Sequence, residues 1–354
     1  MGELALTDHS TELLTGAPRA ADPNPAPRLV DRFGRVHRDL RVSLTDRCNL
    51  RCTYCMPADG LAWIPTPELL TVDEITRVVR IATELGITEV RLTGGEPLVR
   101  PDIVEVVAQV AALPLAPHLS VTTNGLRLAR LAAPLAEAGL ARVNISCDTL
   151  SPETFRRLTL RDRHADVLAG IAAARDAGLA PIKVNTVLMR GVNDHEAAPL
   201  LRWALAEGLN LRFIEQMPLD PQHGWNRAMM VTRAEILAQL ERAGFHLAPN
   251  EARGSAPAEE FLVDGGPATV GIVGSVTNPF CAACDRVRLT ADGHWRTCLF
   301  AQVEMGLREL LRGDADDAAL AAVMIGEVAG KQRGHGIDEP AFQQPDRPMS
   351  AIGG

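Results

Sequence analysis

The chain has 354 residues, 46% of them hydrophobic but only 4% aromatic, and a formal net charge of −8. That length suffices for one large α/β domain with an appendage, built around an aliphatic core. The acidic balance argues against nucleic-acid binding through a general basic surface, and no run of 18 or more apolar residues is present to cross a membrane. Residues 1–28, rich in Ala, Pro, Asp and Thr without periodicity, predict a disordered leader. The N-terminus lacks a basic segment followed by an apolar one, so a secretory signal is not expected and a cytoplasmic location is. Short apolar runs at 39–45, 88–93, 118–122, 142–147, 181–187 and 210–215 predict buried parallel strands. Amphipathic segments at 72–85, 101–112, 127–138, 164–177 and 195–207 predict the crossover helices between them. Thr71-Val-Asp-Glu74 is a capping box, and Ser151-Pro152 supplies an N-cap with proline at the first helical position. Gly86, Gly139, Gly178 and Gly208 fall where helix stops belong. Six β-α repeats predict an α/β fold with a partial (β/α)6 TIM-type barrel over residues 29–216, its chemistry at the C-terminal ends of the strands. From 217 to 330 a second capping box, Thr232-Arg-Ala-Glu235, short strands and Pro/Gly-rich stretches predict a smaller α+β extension covering the barrel opening. A polar tail, 331–354, ends in Gly353-Gly354.

Seven cysteines fall into two tight groups plus a lone Cys147, an arrangement that suits metal ligation better than a disulfide framework. The first group is Cys48-Asn-Leu-Arg-Cys52-Thr-Tyr54-Cys55. Three thiolates are one too few for a closed structural zinc site but fit a four-iron cluster with one iron open to a small molecule. On spacing alone, zinc or a disulfide with distant partners remains an alternative. After the second strand comes Gly94-Gly95-Glu96-Pro97. Glycines let backbone groups approach a ligand closely, and Glu96 can accept from an ammonium; a plain βα turn with an acidic cap explains the motif equally well in isolation. Ser146 ends the fourth strand beside Asn144 and Asp148, as a ligand contact or a helix cap. Met217 is a ligand contact or simply core.

The second group is Cys281-Ala-Ala-Cys284, then thirteen residues, then Cys298. A zinc ribbon would need a fourth ligand, for which His294 is available. Arg286 and Arg288 follow at once. Residues two apart on a strand share a face, and the planar guanidinium fork suits phosphate; a solvated strand face is the plain alternative. Arginine supplies nearly all the basic charge, since Lys183 and Lys331 are the only lysines. A lysine in mid-strand, as Lys183 is, hints that an ammonium is wanted there.

The C-x3-C-x2-C run with Tyr54 before its last cysteine, joined to Gly-Gly-Glu-Pro, resembles the radical S-adenosylmethionine (SAM) enzymes. From about residue 30 to the terminus the chain is similar to one family among them, the GTP 3′,8-cyclases of molybdenum cofactor biosynthesis. The segments that carry this are Arg41-Val-Ser-Leu-Thr-Asp-Arg-Cys48, Arg91-Leu-Thr-Gly-Gly-Glu-Pro, Thr122-Thr-Asn-Gly, Lys183-Val-Asn-Thr-Val, Arg212-Phe-Ile-Glu-Gln-Met217, the second cysteine group with Arg286 and Arg288, and the Gly-Gly end. The resemblance implies that Cys48, Cys52 and Cys55 hold a [4Fe-4S] cluster that binds SAM, with Tyr54, Gly94, Gly95, Glu96, Ser146 and Met217 around it. It implies a second [4Fe-4S] cluster on Cys281, Cys284 and Cys298, open to the guanine edge of GTP. Arg41, Arg91, Thr122, Lys183, Arg212, Arg286, Val287 and Arg288 would bind GTP, with Arg41, Lys183, Arg286 and Arg288 assisting catalysis. The reaction implied removes hydrogen from C3′ of the ribose and joins C3′ to C8 of guanine. An electron donor, a downstream pterin-forming enzyme and a homodimer belong to the same expectation, as does the absence of nucleic-acid and membrane partners. The rival readings are a two-cluster radical SAM enzyme that modifies a peptide, and a zinc-binding interaction module on a non-catalytic barrel.

Overall fold

The computed structural model describes residues 28–251, 253–340 and 342–353; the leader expected at 1–28 therefore lies, but for its last residue, outside the described residues. Six strands alternate with helices: β1 (Asp39–Ser43), β2 (Glu89–Thr93), β3 (His118–Thr123), β4 (Arg142–Ser146), β5 (Lys183–Val187) and β6 (Asn210–Ile214). Between them lie α1 (Val72–Glu84), α2 (Ile103–Ala111), α3 (Leu128–Glu137), α4 (Pro152–Thr159), α5 (His164–Asp176) and α6 (Ala197–Ala206). The capping signals act as their chemistry dictates. Thr71 and Glu74 close a reciprocal box at the start of α1, and Ser151 accepts from the Thr154 amide at the start of α4.

The remaining elements are α7 (Arg233–Arg242), β7 (Leu247–Asn250), β8 (Glu259–Val263), β9 (Thr269–Val273), β10 (Arg286–Leu289), β11 (His294–Arg296), β12 (Met305–Gly306), α8 (Arg308–Arg312), α9 (Asp317–Ala329) and α10 (Met349–Ile352). These strands do more than cover the barrel. The sheet order is β12-β11-β10-β1-β2-β3-β4-β5-β6-β9-β8-β7, with β10 parallel to β1 and β9 parallel to β6. The extension thus pairs both edges of the six-stranded unit, which would otherwise present open rows of amides and carbonyls. No pairing joins β9 to β10 among the described residues, so the parallel sheet stays open.

The core lies between sheet and helices, where Leu40, Val42, Val90, Leu92, Val143 and Val184 are fully or almost fully buried. The other face of the same strands is polar. Asp39, Arg41 and Ser43 alternate with Leu40 and Val42 along β1, and Arg91 and Thr93 with Val90 and Leu92 along β2. A barrel interior of this type is ordinarily filled by branched aliphatic side chains. Here it is lined by charge and left hollow, which is the first structural sign that the lumen is the working part.

Candidate active site

A cavity of about 300 Å³ opens at the C-terminal ends of the strands. Its lining gathers Cys48, Cys52, Tyr54 and Cys55, then Gly94, Gly95 and Glu96, then Thr122, Ser146 and Met217. Arg41, Arg91, Arg212, Arg286 and Arg288 complete it. Segments from β1, β2, β3, β4, β6 and β10 therefore converge on one space.

The cysteine loop is held from behind by the Gly-Gly turn. The Gly95 amide donates to the Thr45 carbonyl at 2.7 Å, and the Glu96 amide to the Arg47 carbonyl at 2.8 Å. A Cβ on Gly94 would lie 2.3 Å from the Thr45 oxygen, and one on Gly95 would lie 2.3 Å from the Asp46 oxygen. Gly94 also has φ +138°, a backbone state that favours glycine. The close approach these glycines permit is thus first to the chain's own cysteine loop. Glu96 is buried and already engaged: it accepts from the Leu98 amide at 2.9 Å, the Thr123 hydroxyl at 2.7 Å and the Asn124 amide at 2.7 Å. Burial nevertheless pushes its carboxyl up to about 6.

Tyr54 donates its hydroxyl to Asp148 at 2.8 Å, and Asp148 also accepts from the Val187 amide at 2.8 Å. Burial raises Asp148 to about 6 as well. Burial likewise pushes the Cys48 thiol up to about 11 and Cys55 to about 12. Thiols so placed stay protonated until a metal centre supplies compensating charge.

The basic side is built by strand register. Arg41 faces Arg91 on one neighbouring strand and Arg288 on the other, while Asp39 faces Arg286. Asp39 is set among them, 3.8 Å from Arg41 and 3.7 Å from Arg286, while Arg212 pairs with Glu260 at 3.4 Å. Burial opposes its ionisation, but Arg41, Arg91, Arg286 and Arg288 outweigh burial and hold its carboxyl below the usual range. Arg288 forms no ion pair among the described residues, and burial, then the charge on Arg41, disfavours its guanidinium. Phe280 stacks on Arg286, 4.6 Å from guanidinium carbon to ring centroid. Buried polar atoms without a partner concentrate here: Nε of Arg41, Arg286 and Arg288, Oδ1 of Asp39 and Asn144, and Oγ of Ser43. Such atoms are costly unless something completes them.

Two expected residues stand elsewhere. Val287 turns its side chain into the hydrophobic core, opposite to Arg286 and Arg288, so only its main chain is left for a ligand. Lys183 lies between Asn144 and Asn210 in the register, one inward step below Asn185, which does line the cavity. Burial, then Arg212 and Arg142, lowers its ammonium to about 8. Asp39 went unread in the sequence although it stands two residues before Arg41 on the same strand face.

Cys281 and Cys284 sit on one tight turn, the Cys284 amide donating to the Cys281 carbonyl at 3.2 Å. Cys298 packs with Met217, Leu219, Phe300 and Ile352. Phe280 and Leu299, their chain neighbours, line the cavity, so the second triplet adjoins the basic side. Among the described residues no group of three or more His, Cys, Asp or Glu side chains closes on a single metal ion. Within each triplet the cysteines share one electrostatic neighbourhood, and three thiols are a donor set suited to a larger, open cluster. The tail reaches the same place. Arg347 binds Asp292 at 2.9 Å and Glu304 at 2.5 Å, Met349 and Ser350 line the cavity, and a Cβ on Gly353 would meet Thr93 at 2.8 Å and Ser43 at 3.0 Å.

The Radical SAM superfamily profile matches residues 42–204, and the Molybdenum Cofactor Synthesis C profile matches residues 209–337. A GTP 3′,8-cyclase of Streptomyces coelicolor is 60% identical over 339 residues, covering 95% of this chain and 99% of the relative. A GTP 3′,8-cyclase of Mycobacterium sp. (strain KMS) is 56% identical over 95% of this chain and 96% of its own. The GTP 3′,8-cyclase 2 of Mycobacterium tuberculosis (strain H37Rv) is 54% identical over 94% of this chain and 95% of its own. Among solved structures, Streptococcus suis SuiB superposes with a TM-score of 0.60 at 13% identity, covering 89% of this chain and 77% of that one. SuiB bound to S-adenosylmethionine superposes with a TM-score of 0.58 at 14% identity, covering 82% and 69%. At such identity the SuiB structures speak for the fold alone.

Proposed function

The chain belongs to the GTP 3′,8-cyclase family of radical SAM enzymes, and from this we infer that it cyclises GTP for molybdenum cofactor biosynthesis. The observation that carries the assignment of residues is one cavity with a thiol triplet in its wall, a second triplet beside it, and arginine nitrogens left without partners. Cys48, Cys52 and Cys55 would hold one [4Fe-4S] cluster, and Cys281, Cys284 and Cys298 the other. When bound, the clusters and SAM supply the electrons and the carbon radical that removes hydrogen from C3′ of GTP.

The chain's own residues bind, orient and shield. Tyr54, Gly94, Gly95, Ser146 and Met217 offer SAM a surface mixing polar groups, exposed backbone and a thioether. Glu96, with three donors already on it, fixes the turns after β2 and β3 and keeps carboxylate capacity for an ammonium. GTP carries about four negative charges while the chain is acidic overall, so the field must be reversed locally. Arg41, Arg91, Arg212, Arg286 and Arg288 do this, with Lys183 behind them and Thr122 offering a hydroxyl. We assign Arg41, Lys183, Arg286 and Arg288 to holding the nucleotide so that C3′ faces C8 during bond formation. Gly353, seated against Ser43 and Thr93, keeps water from this space.

The same reading calls for an electron donor and for a downstream enzyme that forms the pterin, and it places the chain in the cytoplasm as a homodimer. No helix among the described residues is long and apolar enough to cross a membrane. The test is anaerobic incubation with SAM, reductant and each nucleoside triphosphate in turn, following release of 5′-deoxyadenosine. The protein should carry about eight irons, and GTP should drive release. Release driven equally by another nucleotide, or by none, overturns the assignment.

A further inference from the structure

Lys331 is one of the chain's two lysines, and its side chain is almost entirely buried, with 3% exposure. It follows α9 and reaches the back of the Cys281–Cys284 turn. Its Nζ donates to the Arg286 carbonyl at 2.7 Å and to His37 Nε2 at 2.8 Å. It also lies 3.4 Å from the Cys284 carbonyl and 3.7 Å from Cys284 Sγ, within the range of a hydrogen bond to sulfur. An ammonium has three donors, and here they are directed at a carbonyl, an imidazole and the cysteine.

The charge is what needs explaining. A buried ammonium is costly unless an anion faces it. Arg35, the other cation touching this turn through the Cys281 carbonyl at 2.5 Å, is neutralised by Asp31. Lys331 has no carboxylate within ion-pair distance among the described residues. His37 accepts from it and is kept neutral, burial and then Lys331 pushing the imidazole down to about 4. Burial works first against its charge, Cys284 and Cys298 as thiolates work for it, and the Asp31 carboxylate lies one step further off, 3.8 Å from His37 Nε2.

We propose that Lys331 is a positioning residue for the second iron–sulfur centre, setting its reduction potential through a hydrogen bond to Cys284 Sγ and a positive charge that no carboxylate pairs with directly. This rests on the reading that Cys281, Cys284 and Cys298 hold a four-iron cluster. Taking up one electron from the external reductant makes such a centre one unit more negative. A fixed cation beside one of its sulfurs favours that reduced form, since net charge and hydrogen bonds to sulfur tune these potentials. Lys331 thereby raises the midpoint, and its bond to the Arg286 carbonyl ties the centre to the strand that carries two of the cavity arginines.

The test isolates the second centre in the full chain with Cys48→Ala, Cys52→Ala and Cys55→Ala, reconstituted anaerobically. The midpoint potential is followed by electron paramagnetic resonance in this parent, in K331Q and in K331R. The expected result is a midpoint displaced to more negative potential in K331Q, at the parent's iron content, and close to the parent in K331R. An unchanged midpoint in iron-loaded K331Q overturns the proposal, as does a midpoint in K331R that falls as far as in K331Q. Should K331Q fail to hold iron, retention of iron and potential by K331R still supports it. Loss of iron from both, with circular dichroism like the parent's, makes Lys331 a packing residue and overturns it. A parent without a four-iron centre would instead end the reading of the second triplet itself.

Discussion

The two sides of the cavity are built on opposite principles. Beside the first cysteine loop, Glu96 and Asp148 are buried acids met by the chain itself. Glu96 takes three protein donors and Asp148 takes two. Across the cavity, Arg41, Arg286 and Arg288 each bring a buried nitrogen with no hydrogen-bond partner, and Asp39 stands against four arginines. The Glu96 and Asp148 networks are scaffolding, made before any ligand arrives. The arginine side is a concentration of like charge whose cost is recovered only when an anion enters. Folding and binding are thus separated within one cavity, and substitutions should separate them too.

The largest effect belongs to the unfinished side. Arg288→Met keeps most of the side-chain volume and removes the charge. Charge-assisted hydrogen bonds are worth about 1.5–3 kcal/mol each, so GTP affinity should fall roughly 10- to 150-fold, measured by anaerobic calorimetry on cluster-loaded protein. Stability of the ligand-free chain in urea should hold or rise, because a repelling charge has gone. The slow background of reductive SAM cleavage without nucleotide, well below the GTP-driven rate of the parent, should be the same in both proteins. Normal GTP affinity in this variant would end the assignment of Arg288 to the substrate, and a large loss of stability would end the contrast.

The finished side should behave in mirror image. Thr123 donates its hydroxyl to Glu96 at 2.7 Å and accepts from the Gly125 amide at 3.0 Å. Thr123→Val keeps the shape, leaves that amide without a partner and strips one donor from a buried carboxylate. Unfolding in urea should show a loss of about 1–3 kcal/mol, with GTP affinity in the loaded protein unchanged. A variant as stable as the parent would mean that this network is not what holds the turns.

Much of this contrast was legible in the sequence, for a physical reason. Metal ligation needs rare residues at fixed local spacing, so Cys48, Cys52 and Cys55 stand out, and strand alternation alone puts Arg286 beside Arg288. What escaped was non-local. Parallel pairing of β10 with β1 joins segments some 250 residues apart and leaves no local trace. Without it, Arg288 cannot be placed against Arg41, nor Asp39 against Arg286. Reading 39–45 as an apolar run also hid Asp39, since the alternation within it separates core from lumen. Gly94 and Gly95 were recognised as sites of close approach, but only the fold shows that the nearest neighbour is the cysteine loop. Lys331 was conspicuous by its rarity, yet nothing local connects it to Cys284.

The smallest effect is the most discriminating, because it asks whether the basic side is charged at rest. Lys183 has its ammonium lowered to about 8, by burial first and then by Arg212 and Arg142. A lowered lysine is protonated below that value and loses its charge as pH rises through it. A polyanion beside it would draw the proton back, so GTP should bind with proton uptake near pH 8. Between pH 7 and pH 9 the parent's dissociation constant should rise by roughly tenfold, the ratio set by deprotonation of one group that must be charged to bind. Lys183→Arg, whose guanidinium stays protonated throughout, should hold a flatter profile over the same range. Titration of the nucleotide itself is common to both proteins and cancels in the comparison. Identical profiles would show that Lys183, one step below the cavity wall, does not feel the nucleotide, and that the arginines alone reverse the field.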